Sequence, residues 1–517
     1  MKKNGFLLAL AAALLLVACG DDSSSGPEGN GSEELSSVEG SSDAGSSAGG
    51  TSDEGSSQGG TSQDSGSSVE GSSEGGSSEG GSSGEASSSE ELSSDSGDLV
   101  WIPVPLQSEI TKALPMTGLV LWPDNDKLSS YKNSIALEYS YCWPNKVVKG
   151  RNADGSIKYD WSWFESLLND VKSRDHQAVV RFVYEYPNNT EVGGKSNKGL
   201  TAVPDYIKKL DGYEETYSAN PGGDGPTWYA DWSHDSLKAF TLRFYAEFAR
   251  LYDKDPRIAF LEVGFGHWSE YHISGTTLQL GKNFPDKNFQ EKFFHHLDTA
   301  FKSLPWMISI DAAETNRTPI LEKAKLKNMA FGLFDDSFMH EGHEIGSSDG
   351  YNEERWNDFR YAERWQISPN GGEISYFEDD DQLNFLNASG MYGVTWEQAA
   401  AKYHITFMIA NDAPEGRIGT AARFLEASKT TGYRFRVTSF ESAGTKARAT
   451  VKNEGVAPIY RDAYIAVNGT RASKSLKGLL PDSSLTVTIP VSNDNLELTI
   501  ESDYLVGRPI EYNAELR

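Results

Sequence analysis

Residues 257 to 272 read Arg257-Ile258-Ala259-Phe260-Leu261-Glu262-Val263-Gly264-Phe265-Gly266-His267-Trp268-Ser269-Glu270-Tyr271-His272. Ile258 to Val263 is a short β-rich run, and it lies between two stretches of helical period. Upstream, from Asp235 to Tyr252, residues Leu237, Phe240, Thr241, Phe244, Phe248 and Leu251 recur at spacings of three or four, which places them on one helix face. Downstream, Asn288 to Ser303 repeats the helical pattern. A strand between two helices, repeated along the chain, signals a parallel sheet.

The repetition runs in both directions. Further β-rich runs fall at Gly118 to Trp122, Ser134 to Tyr141, Ala178 to Tyr184, Trp306 to Ile310, Met329 to Phe334, a run into Gly371-Gly372-Glu373, and His404 to Ile409. Other helical stretches fall at Trp161 to Ser173, Pro319 to Lys325, Glu353 to Glu363 and Thr395 to Lys402. Eight strands alternating with helices predict an α/β fold, a (β/α)8 TIM-type barrel over residues 99–430. The first connection is short for a full helix, and Pro369, Gly371 and Gly372 interrupt the seventh strand. After Thr430 the period becomes two: Tyr433, Phe435 and Val437 alternate with polar residues, as do Ile465 and Val467, then Leu485, Val487, Ile489 and Val491. Turn residues Asn453-Glu454-Gly455, Asn468-Gly469 and Ser492-Asn493-Asp494 break the runs, so residues 431–517 are expected to form a small all-β, immunoglobulin-like sandwich. Its two expected roles are to bind sugar or to cap the barrel.

The amino-terminal fifth has a different character. Met1-Lys2-Lys3 precedes an apolar run from Phe6 to Ala18, too short to span a membrane and suited to a secretory signal. Leu16-Val17-Ala18-Cys19 resembles the lipobox of bacterial lipoproteins, which implies lipidation at Cys19 and a signal over residues 1–19. Gly20, rather than an aspartate, favours the outer membrane or cell surface. Residues 20–98 hold 18 Asp and Glu and no Lys, Arg or aromatic residue. This Ser/Gly/Glu-rich segment is expected to be a disordered linker, on the order of 50 Å end to end, because it cannot bury enough apolar surface to offset ordering. It supplies most of the net charge of −28, leaving −12 on residues 99 to 517. With no Lys/Arg cluster, nucleic acid is excluded as the main ligand. Once Cys19 is lipidated, Cys142 stands alone and is expected to be a small buried residue. A monomer is expected.

In such barrels the chemistry sits at the carboxyl ends of the strands. The third strand ends Val180-Arg181-Phe182-Val183-Tyr184-Glu185, followed by a long loop with Trp228, Tyr229, Asp231 and Trp232. The fourth ends in the loop carrying His267, Trp268, Glu270 and His272. The fifth ends at Asp311, the sixth at Asp335-Asp336 and the seventh at Glu373. Carboxylates after strands four and seven face each other across a barrel mouth, where one can protonate a leaving oxygen and the other attack an anomeric carbon or activate water. Glu270, beside Trp268 and Tyr271, suits the acid, and Glu373 the nucleophile or base; Glu262 and Glu378 are alternative partners. Arg181, Glu185, His267, Trp268, His272, Asp311, Asp336, Trp143 and Trp232 are the expected substrate contacts, the tryptophans with Trp228 by stacking on a pyranose ring. His340-Glu341-Gly342-His343 and the pair His267 and His272 lack the helical spacing of a zinc site, and no phosphate loop, dinucleotide fingerprint or nucleophile elbow appears, so no metal or cofactor is expected.

Three segments resemble one family. Trp268-Ser269-Glu270-Tyr271-His272 is similar to the Trp-Gly-Glu-Trp-His motif of the domain-of-unknown-function 4832 family, bacterial lipoproteins grouped with glycoside-hydrolase-like barrels. Asp336-Ser337-Phe338 with Ser348-Asp349-Gly350-Tyr351 resembles its acidic loop after strand six, and Pro369-Asn370-Gly371-Gly372-Glu373 its Gly-Gly-Glu. Thr431-Gly432-Tyr433 and Asn453-Glu454-Gly455-Val456-Ala457-Pro458 resemble the start and turn of its sandwich. Ser269 stands where the family has glycine, and Tyr271 where it usually has Trp. The resemblance spans roughly residues 115–517 and implies the architecture more firmly than an activity. The expected function is a surface-tethered glycoside hydrolase acting on a polysaccharide or oligosaccharide. The alternatives are a noncatalytic carbohydrate-binding lipoprotein, or an envelope protein that binds another protein.

Overall fold

The computed structural model describes residues 99–187, 201–219, 226–347, 350–378, 380–492 and 495–517. The signal, Cys19, the linker, Ser348, Asp349, Asn493 and Asp494 lie outside the described residues. Eight parallel strands close into a barrel in chain order: β1 (Gly118–Leu121), β2 (Leu137–Cys142), β3 (Gln177–Phe182), β4 (Ile258–Glu262), β5 (Trp306–Ser309), β6 (Gly332–Phe338), β7 (Asn370–Ile374) and β8 (Phe407–Ile409).

Helices α1 (Ser162–Lys172), α2 (Asp235–Tyr252), α3 (Lys287–Ala300), α4 (Tyr351–Asp358), α5 (Trp396–Lys402) and α6 (Ala421–Lys429) pack outside. Side-chain oxygens cap several of them: Asp286 accepts from the Phe289 amide at α3, and Thr395 with Gln398 forms a capping box at α5. Leu251 is 38% exposed, and Tyr252 takes its place on the buried face of α2. The β1–β2 link has a single helical turn, Leu128–Tyr131, and the link before β6 another, Ala324–Lys327, shorter than the expected Pro319–Lys325. Helix α6 was not expected from the sequence. Its buried residues Phe424, Ala427 and Ser428 follow the helical spacing, and the Ser428 hydroxyl accepts from Leu119 N at 3.1 Å and donates to Ser134 O at 2.7 Å.

Alternate residues of a strand face opposite sides. On β3, Val180 and Phe182 join the core under the helices, while Val179 and Val183 join the barrel interior with Val120, Tyr139, Tyr141, Met307, Phe334 and Phe407. Phe260 and Phe407 stack across the interior with centroids 5.0 Å apart. Arg181 lies between Val179 and Val183, so the alternation carries its guanidinium into the barrel.

Two sheets follow the barrel. One has the order Ser484–Pro490, Lys446–Asn453, Phe435–Ala443, Asn513–Leu516, Leu106–Ser108, and the other Thr470–Arg471, Tyr464–Val467, Leu498–Glu501. Leu106–Ser108 pairs with Asn513–Leu516, and Ile102–Pro103 with Phe435–Ala443, so these residues belong to the sandwich rather than to a barrel starting at 99. Both pieces are short edge segments, where Pro103 is tolerated.

The sandwich meets the amino ends of the barrel strands. Tyr433 Oη donates to Pro115 O at 2.9 Å, Gln177 Nε2 to Tyr504 O at 3.0 Å, and Arg461 Nη2 to Ile258 O at 2.8 Å. Arg508 Nη1 donates to Ala113 O and Ile135 O at 2.8 and 2.7 Å. The sandwich thereby closes the end of the barrel opposite the strand carboxyl termini and leaves that mouth open.

Candidate active site

At the mouth one guanidinium gathers three acids, with Glu373 nearby. Arg181 and Glu262 are register partners on β3 and β4 and both are fully buried. Arg181 Nε donates to Glu262 Oε2 at 2.8 Å, and Nη2 lies 2.6 Å from the same oxygen. Nη1 lies 3.2 Å from Glu270 Oε1 and donates to Trp268 O at 3.3 Å, while Nη2 lies 2.7 Å from Asp336 Oδ2. The Asp336 contact is close but poorly aligned for a hydrogen bond. The guanidinium also sits 4.1 Å over the Phe334 ring.

Glu270 reaches this centre through a tightly folded loop. A Cβ on Gly264 would lie 1.7 Å from Ser269 O, and one on Gly266 2.2 Å from His272 O, so neither position accepts a side chain. Trp268, Ser269 and Tyr271 all have left-handed φ, at 54°, 64° and 64°. Three such residues flanking one acid store backbone strain on the order of 1–3 kcal/mol each. It is offset by buried Tyr271, which packs beside Phe294 and Phe265, and by Ser269 Oγ, which donates to Phe182 O at 3.2 Å. The positive φ at Ser269 is a conformation that glycine, the residue at this place in the resembled motif, adopts without strain.

Glu373 projects from β7 beside two glycines that, in the sequence, interrupt the strand. They are close-packing positions instead. A Cβ on Gly371 would lie 2.6 Å from Phe407 Cζ, and one on Gly372, at φ +138°, 2.0 Å from Asp335 O. Glu373 is buried, its Oε1 has no protein hydrogen-bond partner, and the Tyr376 hydroxyl faces it.

Asp335 and Asp336 are neighbours on β6 and therefore point opposite ways. Asp336 faces the mouth. Asp335 faces outward and accepts from Trp356 Nε1 at 2.8 Å, Asn352 Nδ2 at 2.7 Å and Ser337 N at 3.0 Å, with His343 Nε2 at 3.0 Å. Burial pushes Asp335 up, but the His343 ion pair and these donors hold it below the usual carboxylate range. Burial opposes charge on His343 too, yet Asp335 and Glu344 push it up to about 9. A histidine raised from 6.5 stabilises the fold fully below pH 6.5 and loses that contribution as pH rises through about 9. Stability should therefore fall between those pH values, with a slope of up to about 1.4 kcal/mol per pH unit from this group. Denaturation curves of His343→Gln should lack that decline; an unchanged slope refutes the assignment.

Burial in this acidic site disfavours charge on Glu262, Glu270 and Glu373, and neighbouring carboxylates add to that effect. Glu270 is held well above the ordinary range by burial, then by the Asp336 charge, with Arg181 opposing. Glu373 is raised by burial and Asp336 in the same way, and Glu262 is pushed up to about 7 by burial against the pull of Arg181. Glu270 is thus disposed to hold its proton above the ordinary carboxylate range, and 17% of its side chain reaches solvent.

Asp311 and His272 complete the rim. His272 Nδ1 is 3.0 Å from Asp311 Oδ2 and 4.0 Å from Glu270 Oε2, and Tyr351 Oη donates to Asp311 Oδ1 at 3.3 Å. Half-buried Trp268 packs on Tyr186 and Tyr141 at 4.5 and 5.2 Å and forms an aromatic wall.

Other expected contacts lie elsewhere. Trp232 is fully buried against Tyr184, Phe265 and Phe289, and Trp143 is buried beside Trp163 under Lys146, so neither has a ring face for a sugar. Glu185 is fully buried, pushed up to about 8 by burial, and accepts from Ala230 N at 3.2 Å; it holds the loop after β3 rather than lining the mouth. His267 is buried, and burial pushes it down to about 3, so it stays neutral within the loop. Cys142 is buried and its thiol is pushed up. Glu378 is exposed. Tyr376 went unnoticed in the sequence; an aromatic three residues past the β7 acid was the available signal.

No protein-family model matches the chain, and no curated protein matches it. Among solved structures it is similar to endo-glycoceramidase II from Rhodococcus sp., at 9% identity over 76% of this chain and 100% of that one, TM-score 0.39. It is also similar to the catalytic domain of a beta-amylase from Paenibacillus polymyxa, at 12% identity over 61% and 100%, TM-score 0.36. A third is an alpha-galactosidase from Thermus thermophilus, at 10% identity over 66% of each chain, TM-score 0.33. The described residues form an eight-stranded (β/α)8 barrel closed at one end by a pair of sheets built mainly from the carboxyl-terminal residues.

Proposed function

We propose that the protein is a glycoside hydrolase acting on an extracellular polysaccharide. The observation that supports this reading is the meeting of two acids at the mouth, Glu270 after β4 with 17% of its side chain exposed and buried Glu373 on β7, with burial and the Asp336 charge raising both above the ordinary carboxylate range. Glu270 donates its proton to the glycosidic oxygen as the bond to the anomeric carbon breaks, and Glu373 attacks that carbon or takes the proton of the attacking water. Asp311, through His272, orients the Glu270 side of the site, and Trp268 offers an apolar wall to the sugar. The lipobox resemblance supports export and lipid anchoring at Cys19, and with it tethering at the outer membrane; failure of Cys19→Ala to abolish labelled palmitate incorporation would refute the anchor. The family resemblance is consistent with this reading.

The expected result is release of reducing ends when the protein is incubated with a panel of plant and bacterial polysaccharides. No release from any of them sinks the hydrolytic reading. A second reading, a noncatalytic glycan-binding protein, is favoured by the central place of Arg181, which ties Glu262, Glu270 and Asp336 to one guanidinium. It predicts glycan binding without hydrolysis, unaffected by Glu270→Gln and Glu373→Gln.

A further inference from the structure

The loop after β3 carries a two-stranded hairpin, Thr216–Ser218 paired antiparallel with Thr227–Tyr229. Its register sets Tyr217 opposite Trp228, and Ser218 opposite Thr227. By alternation, Ser218, Thr227 and Tyr229 are buried on one face, while Tyr217 and Trp228 share the other. Tyr217 is 49% exposed and Trp228 half-buried, with ring centroids 4.9 Å apart and planes tilted by 49°.

The buried face is pinned to one residue. Ser218 Oγ donates to Ser274 O at 3.2 Å, Tyr229 Oη donates to the same oxygen at 3.1 Å, and Ser274 N donates to Tyr229 Oη at 3.0 Å. Ser274 lies two residues beyond His272, on the loop that delivers Glu270. The aromatic pair is thus fixed to the segment that carries the acid, on the mouth side of the barrel.

We propose that Tyr217 and Trp228 form a distal subsite that stacks on a neutral pyranose unit of a polysaccharide chain reaching the mouth. The proposal takes its direction from the hydrolase reading but stands equally if the mouth only binds glycan. Two tilted rings match the apolar C–H face of a sugar, and their edges leave the ring hydroxyls in water. A protein partner would need a total interface above roughly 1,000 Å², far more than two side chains supply. Neither ring of the pair carries a charge to complement an anionic sugar, so the recognised unit is uncharged.

The test is affinity electrophoresis of the full-length protein in gels containing hydroxyethyl cellulose, arabinoxylan or galactomannan. Trp228→Ala and Tyr217→Ala are each expected to weaken retention by the recognised polymer at least tenfold, with Trp228→Phe restoring part of it. Ile367→Ala, at an exposed site before β7, is the control and should match the parent. Circular dichroism and thermal midpoints check that the hairpin variants remain folded. Full retention in both variants overturns the proposal, as does failure of the parent to bind any of the three polymers. Binding that depends on Trp228 without hydrolysis of any polymer keeps this subsite and rejects the hydrolase reading.

Discussion

Glu270→Gln should lower the rate on the natural polysaccharide by about 10²–10⁴-fold, and far less on an aryl glycoside whose dinitrophenolate leaves without protonation. The difference arises because Gln keeps the size and the contact with Arg181 but has no proton to give. Assays of both substrates side by side check it, and equal losses on the two would remove Glu270 from the acid role. The pH profile follows from the same electrostatics. Burial and the Asp336 charge raise both Glu270 and Glu373, so both limbs of a bell-shaped kcat/KM curve move up from the ordinary carboxyl range. The optimum should lie above the ordinary carboxyl range, and the limbs belong to the interacting cluster rather than to single residues. An optimum near pH 4 contradicts the arrangement.

Arg181→Met should cost about 3–5 kcal/mol of stability at neutral pH, because it strands buried Glu262 and Asp336 without their counter-ion. The sign with pH is fixed: without the guanidinium, the native state holds protons on these acids more tightly than the unfolded chain, so acidification recovers stability. Adding Glu262→Gln to Arg181→Met should restore part of the loss at neutral pH, since one stranded charge is gone. Urea denaturation of the two variants at neutral and mildly acidic pH gives the comparison. A loss below about 1 kcal/mol for Arg181→Met alone would mean that the acids are already neutral or hydrated.

The sequence made the barrel legible because its strands are short β-rich runs separated by helices of clear period, and all eight fall in the closed sheet. The acids after strands four and seven were legible as well, since topology alone brings those ends to one mouth. The direction of each side chain was less so. Asp335 and Asp336 are identical in type, and only the alternation on β6 separates the acid that anchors His343 from the one that meets Arg181. The same alternation on β3, from Val179 to Val183, would have pointed to Arg181 as the centre. Trp143 and Trp232 lie near strand ends yet are buried, because Trp163 of α1 and Tyr186 cover the first, and Tyr184, Phe265 and Phe289 of α3 cover the second. Gly371 and Gly372 read from the sequence only as an interruption of β7, because a gap needed by Phe407 and by the β6 backbone leaves no mark in a single sequence. Ile102 to Ser108 escaped notice because strands of two and three residues, with Pro103 among them, carry too little period to register.

The central claim is that Glu270 and Glu373 together make the mouth a hydrolytic centre. Its most direct measurement is the release of reducing ends from the best polysaccharide of the panel by the parent protein and by the double variant Glu270→Gln/Glu373→Gln, each verified as folded. Sustained release by the parent and none above background by the double variant is the expected result; release by the double variant at a rate comparable to the parent would remove both acids from the chemistry.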